Sequence, residues 1–373
     1  MSTSPAEMGN LVVAGGFGIA LLFGLVAART NFCTMGALSD IVNMQHWGRM
    51  RMWLLAVAVA VAGATALRYG GQIDLAKAVA MRPSLPWLSL LVGGLIFGVG
   101  MTLAGGCANK NLIRLGGGSL RSLVVLVFMG IAAYMTLKGL FGQWRASWLD
   151  PVRIDLGERG WADQGLATAL SKAAGLDAGQ ALLGVAAVLV LGLLAFVFKD
   201  ARFRRNLSQV LGGVALGLLV VAGWYVSGHL GFGENPETLE SVYFATNTRT
   251  IESLSLVAPV AFSLELLMLW TDKSLHVSFG IACAAGVVVG SLLYALVART
   301  FRWEGFASLA DLRNQLVGAG LMGFGGVTAL GCTIGQGLTG LSTLAIGSFM
   351  ATAGIVSGSV LTLKAIAWQA ERD

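Results

Sequence analysis

Charge is scarce in this chain. Only 12% of its 373 residues are Asp, Glu, Lys or Arg, against 56% hydrophobic. Soluble domains carry about 25% charged residues, so the shortage excludes an ordinary water-soluble fold. Cysteine and histidine are also few. Cys33, Cys107, Cys283 and Cys332 form no Cys-x-x-Cys pair, and His46, His229 and His276 are scattered. That spacing argues against a disulfide framework or a zinc site. No Gly-x-x-x-x-Gly-Lys-[Ser/Thr] stretch occurs, so direct coupling to ATP is not expected and no cofactor is called for. The N-terminus lacks the basic region and small-residue cleavage site of a signal peptide, so the first apolar run is expected to be retained. A net charge of +6 suggests nucleic acid at first sight. The basic residues, however, fall in short loops between apolar runs, a pattern of membrane topology, and nucleic acid is not an expected partner.

What the chain has is apolar runs and glycine. Runs long enough to cross a bilayer, about 20 residues, lie at 11–28, 52–68, 87–105, 120–141, 180–198, 208–228, 277–298, 313–330 and 341–363. A weaker tenth, 253–270, is interrupted by Pro259 and Glu265. The expected fold is an all-α integral membrane protein with nine or ten spans embedded in the lipid bilayer. Arg49 and Arg51, then Lys110, Arg114 and Arg121, then Lys199, Arg202, Arg204 and Arg205 fall in alternate loops. Cytoplasmic loops are the Lys/Arg-rich ones, which puts the N-terminus outside. Trp53, Trp87, Trp270 and Trp368 sit at run ends, as an aromatic belt requires. The polar insert 142–179 reads as an extracytoplasmic loop with short amphipathic helices on the interface, either a lid or a passive connector. A second insert, 229–252, carries Glu234, Glu237 and Glu240 and reads as solvated loop.

The 52 glycines are about twice the usual share of roughly 7%, and some of them repeat. A slide of 225 residues superimposes Gly93, Gly98, Gly100, Ala104, Gly106 and Cys107 on Gly318, Gly323, Gly325, Ala329, Gly331 and Cys332. A further echo matches Phe17-Gly18-Ile19-Ala20 with Phe279-Gly280-Ile281-Ala282, each followed by an Ala-Arg-Thr. These echoes predict repeat halves at about 11–141 and 277–363, joined by 142–276, in pseudo-symmetric and, with an odd number of intervening spans, inverted arrangement.

Each repeated cysteine follows glycines at the end of a run. Gly106 and Gly331 there suit a turn that sends a short half-helix back into the protein, with its N-terminus presenting free N–H groups to an anion. Asn109, Lys110, Asn111 and Arg114 add donors beside Cys107, and Thr333 and Gln336 do so beside Cys332. Cys33, in Arg29-Thr30-Asn31-Phe32-Cys33-Thr34-Met35-Gly36, just past the first run, is a third candidate. The alternative for each is a small apolar residue at a helix contact. Arg29, Lys110 and Arg114 also have an ordinary alternative as topology markers. Cys283 has no polar company and reads as packing. Thiols beside basic and amide donors suit an anion that carries its own soft sulfur. A hard oxyanion such as sulfate would not need them.

The segments Arg29-…-Phe32-Cys33-…-Gly36-Ala37, Gly105-Gly106-Cys107-Ala108 and Gly331-Cys332-Thr333-Ile334-Gly335-Gln336-Gly337 resemble signatures of the YeeE/YedE family of bacterial inner-membrane sulfur transporters. The resemblance covers most of the chain outside the 142–179 insert and the termini. It implies an hourglass-shaped helical protein whose central loops and short helices carry cysteines along the path of thiosulfate. It also implies a cytoplasmic TusA-like sulfurtransferase as partner. Cys33, Cys107 and Cys332 match the family pattern and Cys283 does not. The function expected is uptake of a small sulfur-containing anion, thiosulfate first, without enzymatic change. Two alternatives stay open: a membrane sulfur-relay enzyme in which Cys107 or Cys332 forms a persulfide, and a channel for another sulfur or selenium anion.

Overall fold

The computed structural model describes residues 5–234, 240–306 and 308–372; Glu237 of the second insert lies outside them. Helix dominates because the bilayer core offers no water to backbone N–H and C=O groups. The chain opens with α1 (Pro5–Thr30), the short α2 (Thr34–Met44), α3 (Gly48–Tyr69), α4 (Trp87–Leu103), the short α5 (Ala108–Gly116) and α6 (Leu120–Lys138). A connecting region follows, with α7 (Leu140–Trp144), α8 (Leu166–Ala174), the long apolar α9 (Ala178–Phe198) and α10 (Ala201–Arg205). The last part holds α11 (Leu207–Tyr225), α12 (Val257–Met268), α13 (Phe279–Val297), α14 (Leu309–Thr328), a π-helical turn (Gly335–Gly340) and α15 (Ile346–Ala370).

Among the described residues, eight helical segments are long and apolar enough to cross a membrane. The expected span 313–330 belongs to α14, a helix of 20 residues whose first two turns carry Asp311, Arg313, Asn314 and Gln315. At 1.5 Å per residue it is about 30 Å long, yet it is not one of the eight; it packs between α4 and α6. The weak tenth candidate is not a span. Pro259 lies near the start of α12 and Leu269 ends it, leaving 12 residues, about 18 Å. Trp53 also departs from expectation. It is buried, with its ring where a β-carbon on Gly337 would lie 2.9 Å away, and so takes no part in an aromatic belt.

Helix contacts run in matched pairs. α1 packs on α13 as α11 packs on α3, α4 on α15 as α14 on α6, and α5 on α13 as the π-helical turn on α3. α4 crosses α14 so closely that a β-carbon on Gly100 would lie 2.7 Å from the Gly318 carbonyl oxygen, and one on Gly318 would lie 2.6 Å from that of Gly100. These pairings make α11–α15 the counterpart of α1–α6. The second unit therefore begins at Leu207 rather than 277. The Phe-Gly-Ile-Ala echo joins α1 to α13, two helices that touch rather than correspond.

The two units run in opposite directions. Gly15 of α1 abuts Val226 past the end of α11, and Thr30 abuts Gly212 near its start, so α1 and α11 are antiparallel counterparts. One face of the molecule gathers the basic loops. There Arg51 pairs with Asp200, Arg121 with Asp311, and Ser119 bridges to Glu304. The opposite face carries the 142–179 insert, which packs against the rest of the chain. Strand β1 (Ser84–Leu85) pairs with β2 (Ile154–Asp155), and the Ile346 N–H donates to the Gln164 carbonyl at 2.9 Å. On the same face β3 (Phe232–Glu234) and β4 (Ser241–Tyr243) pair antiparallel.

Candidate functional site

Three helices end in one turn, and each turn delivers a cysteine. α1, α4 and α14 close with a left-handed residue: Asn31 at φ 54°, Gly105 at φ 66° and Leu330 at φ 56°. In every case the next residue's N–H reaches back to a carbonyl one turn inside the helix: Phe32 to Ala27 at 3.0 Å, Gly106 to Met101 at 2.9 Å, and Gly331 to Gly326 at 2.8 Å. This is the Schellman closure. The following residue is Cys33, Cys107 or Cys332. Glycine takes the left-handed conformation without cost, whereas a leucine there is strained by roughly 1–2 kcal/mol. The left-handed residue is thus one position before Gly106 and Gly331. Those two are needed for close approach instead: a β-carbon on Gly106 would lie 3.0 Å from Lys110 Cγ, and one on Gly331 would lie 3.1 Å from the Gln336 backbone nitrogen.

After each turn the chain re-enters as a short helix that begins at the thiol. Cys33 caps α2, and its Sγ accepts the Gly36 N–H at 3.3 Å. Cys107 caps α5. Cys332 Sγ accepts the Gly335 N–H, three residues on as in the Cys33 turn, at 3.4 Å. All three are buried and free. The thiols of Cys33 and Cys107 are neighbours, and the side chain of Thr333, next to Cys332, lies near Cys107 without a hydrogen bond to it. The structure thereby brings the three turns together at the centre of the molecule, two from one unit and one from the other.

Polar groups around this line have hydrogen-bonding capacity to spare. Thr34 Oγ1, both amide atoms of Asn109, Thr333 Oγ1 and Gln336 Oε1 are buried without a partner in the protein. An unmet buried polar atom costs about 1–3 kcal/mol, so a polar guest would be stabilised here. Other side chains hold the turns. Asn111 Nδ2 donates to the Gly106 and Cys107 carbonyls at 3.0 and 3.2 Å, and Gln336 Nε2 donates to Ala329 O at 2.8 Å. Lys110 Nζ donates to Asn31 Oδ1 at 2.5 Å, and Arg114 Nη1 to Gly105 O at 3.0 Å. Both cations act electrostatically on Cys33. Arg29 is exposed on the basic face and is not brought to the thiols. Cys283 donates to Gly16 O at 3.4 Å in the α1–α13 seam.

On the insert face a cavity of about 230 Å³ leads down to Gly331, Gly335 and Gln336. Its lining includes Trp224, Ser255, Thr339, Arg145 and Glu252. The Glu252 carboxylate accepts from Thr248 N and Oγ1 at 2.8 and 2.5 Å. Burial raises its pKa above the ordinary carboxylate range, the Thr248 contacts opposing. Arg49, Thr34, Ser255 and Glu252 were not singled out as site residues by sequence. Arg49 reads there only as a loop cation, and the loop that carries Ser255 and Glu252 has no motif to betray it.

A family model described as Sulphur transport matches residues 29–361. Among curated proteins, the thiosulfate transporter TsuA of Spirochaeta thermophila is 26% identical over 350 residues, covering 91% of this chain and 95% of that protein. The thiosulfate transporter TsuA of Escherichia coli K12 is 25% identical over 347 residues, covering 88% and 87%.

Proposed function

We propose that this chain, which belongs to the sulphur transport family, takes up thiosulfate across the bacterial inner membrane along the line Gln336, Cys332, Thr333, Cys107 and Cys33. The observation that supports this reading is the shared turn geometry that delivers Cys33, Cys107 and Cys332, with Cys107 near both Cys33 and Thr333. Two relatives that align over almost their whole length are named thiosulfate transporters. Thiosulfate has a soft terminal sulfur and hard sulfonate oxygens. A thiol is a weak donor and weak acceptor, so it can meet that sulfur without binding it tightly, while Asn109, Lys110, Arg114, Thr333 and Gln336 meet the oxygens.

The positive-inside rule assigns the basic face to the cytoplasm. On that assignment the N-terminus, the insert and the cavity are outside, and thiosulfate leaves beside Lys110 and Arg114. A cytoplasmic TusA-like sulfurtransferase is the fitting acceptor. The protein passes its substrate unchanged and is not an enzyme. Thiosulfate labelled separately in its two sulfur atoms tests this with purified protein in liposomes. Both labels should accumulate inside in equal amount. Label retained on the protein from the outer sulfur, with sulfite released, would identify a persulfide relay instead.

A further inference from the structure

The Cys33 thiol lies in the field of three cations, and only two of them are on α5. Lys110 and Arg114 act on it from that helix. The third is Arg49, from the first turn of α3. Its position is fixed by two neighbours. Arg49 Nε and Nη2 both donate to the carboxylate of Asp40 on α2, a bidentate geometry that aims the guanidinium. Nη1 is left beside Gly36, where a β-carbon would overlap it. The Gly36 N–H is the group that donates to Cys33 Sγ. Asp40, Gly36 and Arg49 therefore bring a fixed positive charge over the first turn of α2, next to the thiol.

That placement is unfavourable by itself. The N-termini of α2 and α5 already present partial positive charge, and Lys110 is repelled by both Arg114 and Arg49. Asp40 offsets Arg49, and Glu304 acts on Arg114 against the opposing effect of Arg121. Lys110 and Arg114 remain positive neighbours of the thiol. Beside it stand the unpartnered Thr34 Oγ1 and Asn109 amide, 3% and 1% exposed. Three cations and buried donors converging on one point fit a small, doubly charged anion.

We propose that Arg49 is a third ligand for the transported anion, forming with Lys110 and Arg114 a seat for a dianion on the basic side of the thiols, and that Asp40 is the residue that positions it. This rests on the transport reading above and adds a binding site to it. The seat holds the sulfonate oxygens of thiosulfate while its terminal sulfur still faces Cys33 and Cys107.

The test is binding of labelled thiosulfate to the purified full-length protein, beside uptake by the same preparations in liposomes. Arg49→Gln should weaken binding about tenfold or more, as loss of a charge-assisted contact does. Arg49→Lys should recover at least threefold of that loss, because it keeps the charge. Asp40→Asn should weaken binding by about fivefold with Arg49 intact. Gly36→Ala keeps every charged group and guards against misfolding of the arginine variants; its methyl pushes the guanidinium aside, so binding should fall at least threefold. If the native protein transports thiosulfate while Arg49→Gln or Gly36→Ala binds within twofold of it, the seat is overturned and the transport reading stands. Equal loss in Arg49→Gln and Arg49→Lys would make the arginine structural and also overturn it. A native protein that neither binds nor transports thiosulfate overturns both.

Discussion

The two units build the same turn from different residues. In the first, α1 and α4 end at Asn31 and Gly105, and the thiols Cys33 and Cys107 begin α2 and α5. In the second, α14 ends at Leu330 and Cys332 follows, but the residue that begins α12, the counterpart of α2, is Leu256. Charge divides the same way. α5 carries Lys110 and Arg114, whereas the π-helical turn that corresponds to it, Gly335–Gly340, has only Gln336 and Thr339 as polar side chains. An inverted repeat supplies matching scaffolds on the two sides of a membrane. Divergence within it makes the two ends of the proposed path unlike: on the insert side a cavity that reaches Gln336, next to the single thiol of Cys332, and on the other a cationic cluster beside two thiols. A dianion would be drawn in through weak amide contacts and held where the positive charge is.

The largest effect should come from blocking the turns. Gly331→Val is expected to abolish uptake, more than tenfold, because its side chain meets the backbone of Gly335 and Gln336 at 3.1 Å. Gly106→Val should lower it less, since the contact there is with the flexible side chain of Lys110. Liposome uptake at matched protein amount decides, and equal uptake by both variants would remove the distinction between the units.

Neutralising the charged end comes next. Lys110→Gln removes a charge-assisted contact of about 1.5–3 kcal/mol, so the thiosulfate concentration for half-maximal uptake should rise about tenfold. Gln336→Leu on the insert side should change it less, as a neutral contact of about 0.5–1.5 kcal/mol is lost. The reverse ranking would place the tighter end on the insert side.

A smaller effect belongs to Glu252 in the cavity lining. The pKa of Glu252 is raised, so as pH falls it takes up its proton earlier than an ordinary carboxyl and removes a negative charge from the cavity lining. Uptake should therefore rise as the insert side is acidified, and Glu252→Gln should be about twofold to threefold faster than the native protein at neutral pH, with a flatter profile. An unchanged profile in Glu252→Gln would dissociate this carboxylate from entry. Cys283→Ala marks the lower bound. Its thiol only closes the α1–α13 seam through Gly16 O, and uptake within twofold of native is expected.

Much of this was legible in the sequence. The match of Gly93–Cys107 with Gly318–Cys332 located two of the three turns because helix crossing and chain reversal both demand small residues at fixed spacing. Hydropathy found the long helices because lipid demands apolar faces. Three things were hidden. Leu330 occupies the left-handed position where its counterpart is Gly105, so the turn is written in backbone hydrogen bonds and not in residue type. The second unit's start at Leu207 left no matching letters, since α11 and α1 share a packing role, against α3 and α13, rather than a motif. Arg49 resembles any loop cation until α2 folds back and sets Asp40 and Gly36 against it. Trp53 was misplaced for a related reason: it lies near a helix end, but the re-entrant turn at Gly337 covers it.

The most direct test of a single path through both units is uptake of labelled thiosulfate by liposomes containing Cys107→Ala, Cys332→Ala or Cys283→Ala at equal protein amount. A lost weak contact of about 1 kcal/mol would slow uptake only about fivefold. Cys332 Sγ also accepts the Gly335 N–H of its turn, and Cys107 stands between Cys33 and Thr333 where the two units meet, so each of their variants should fall more than tenfold while Cys283→Ala stays near native. Native rates in both Cys107→Ala and Cys332→Ala would contradict the account, for the thiols would then be packing and the path would lie elsewhere.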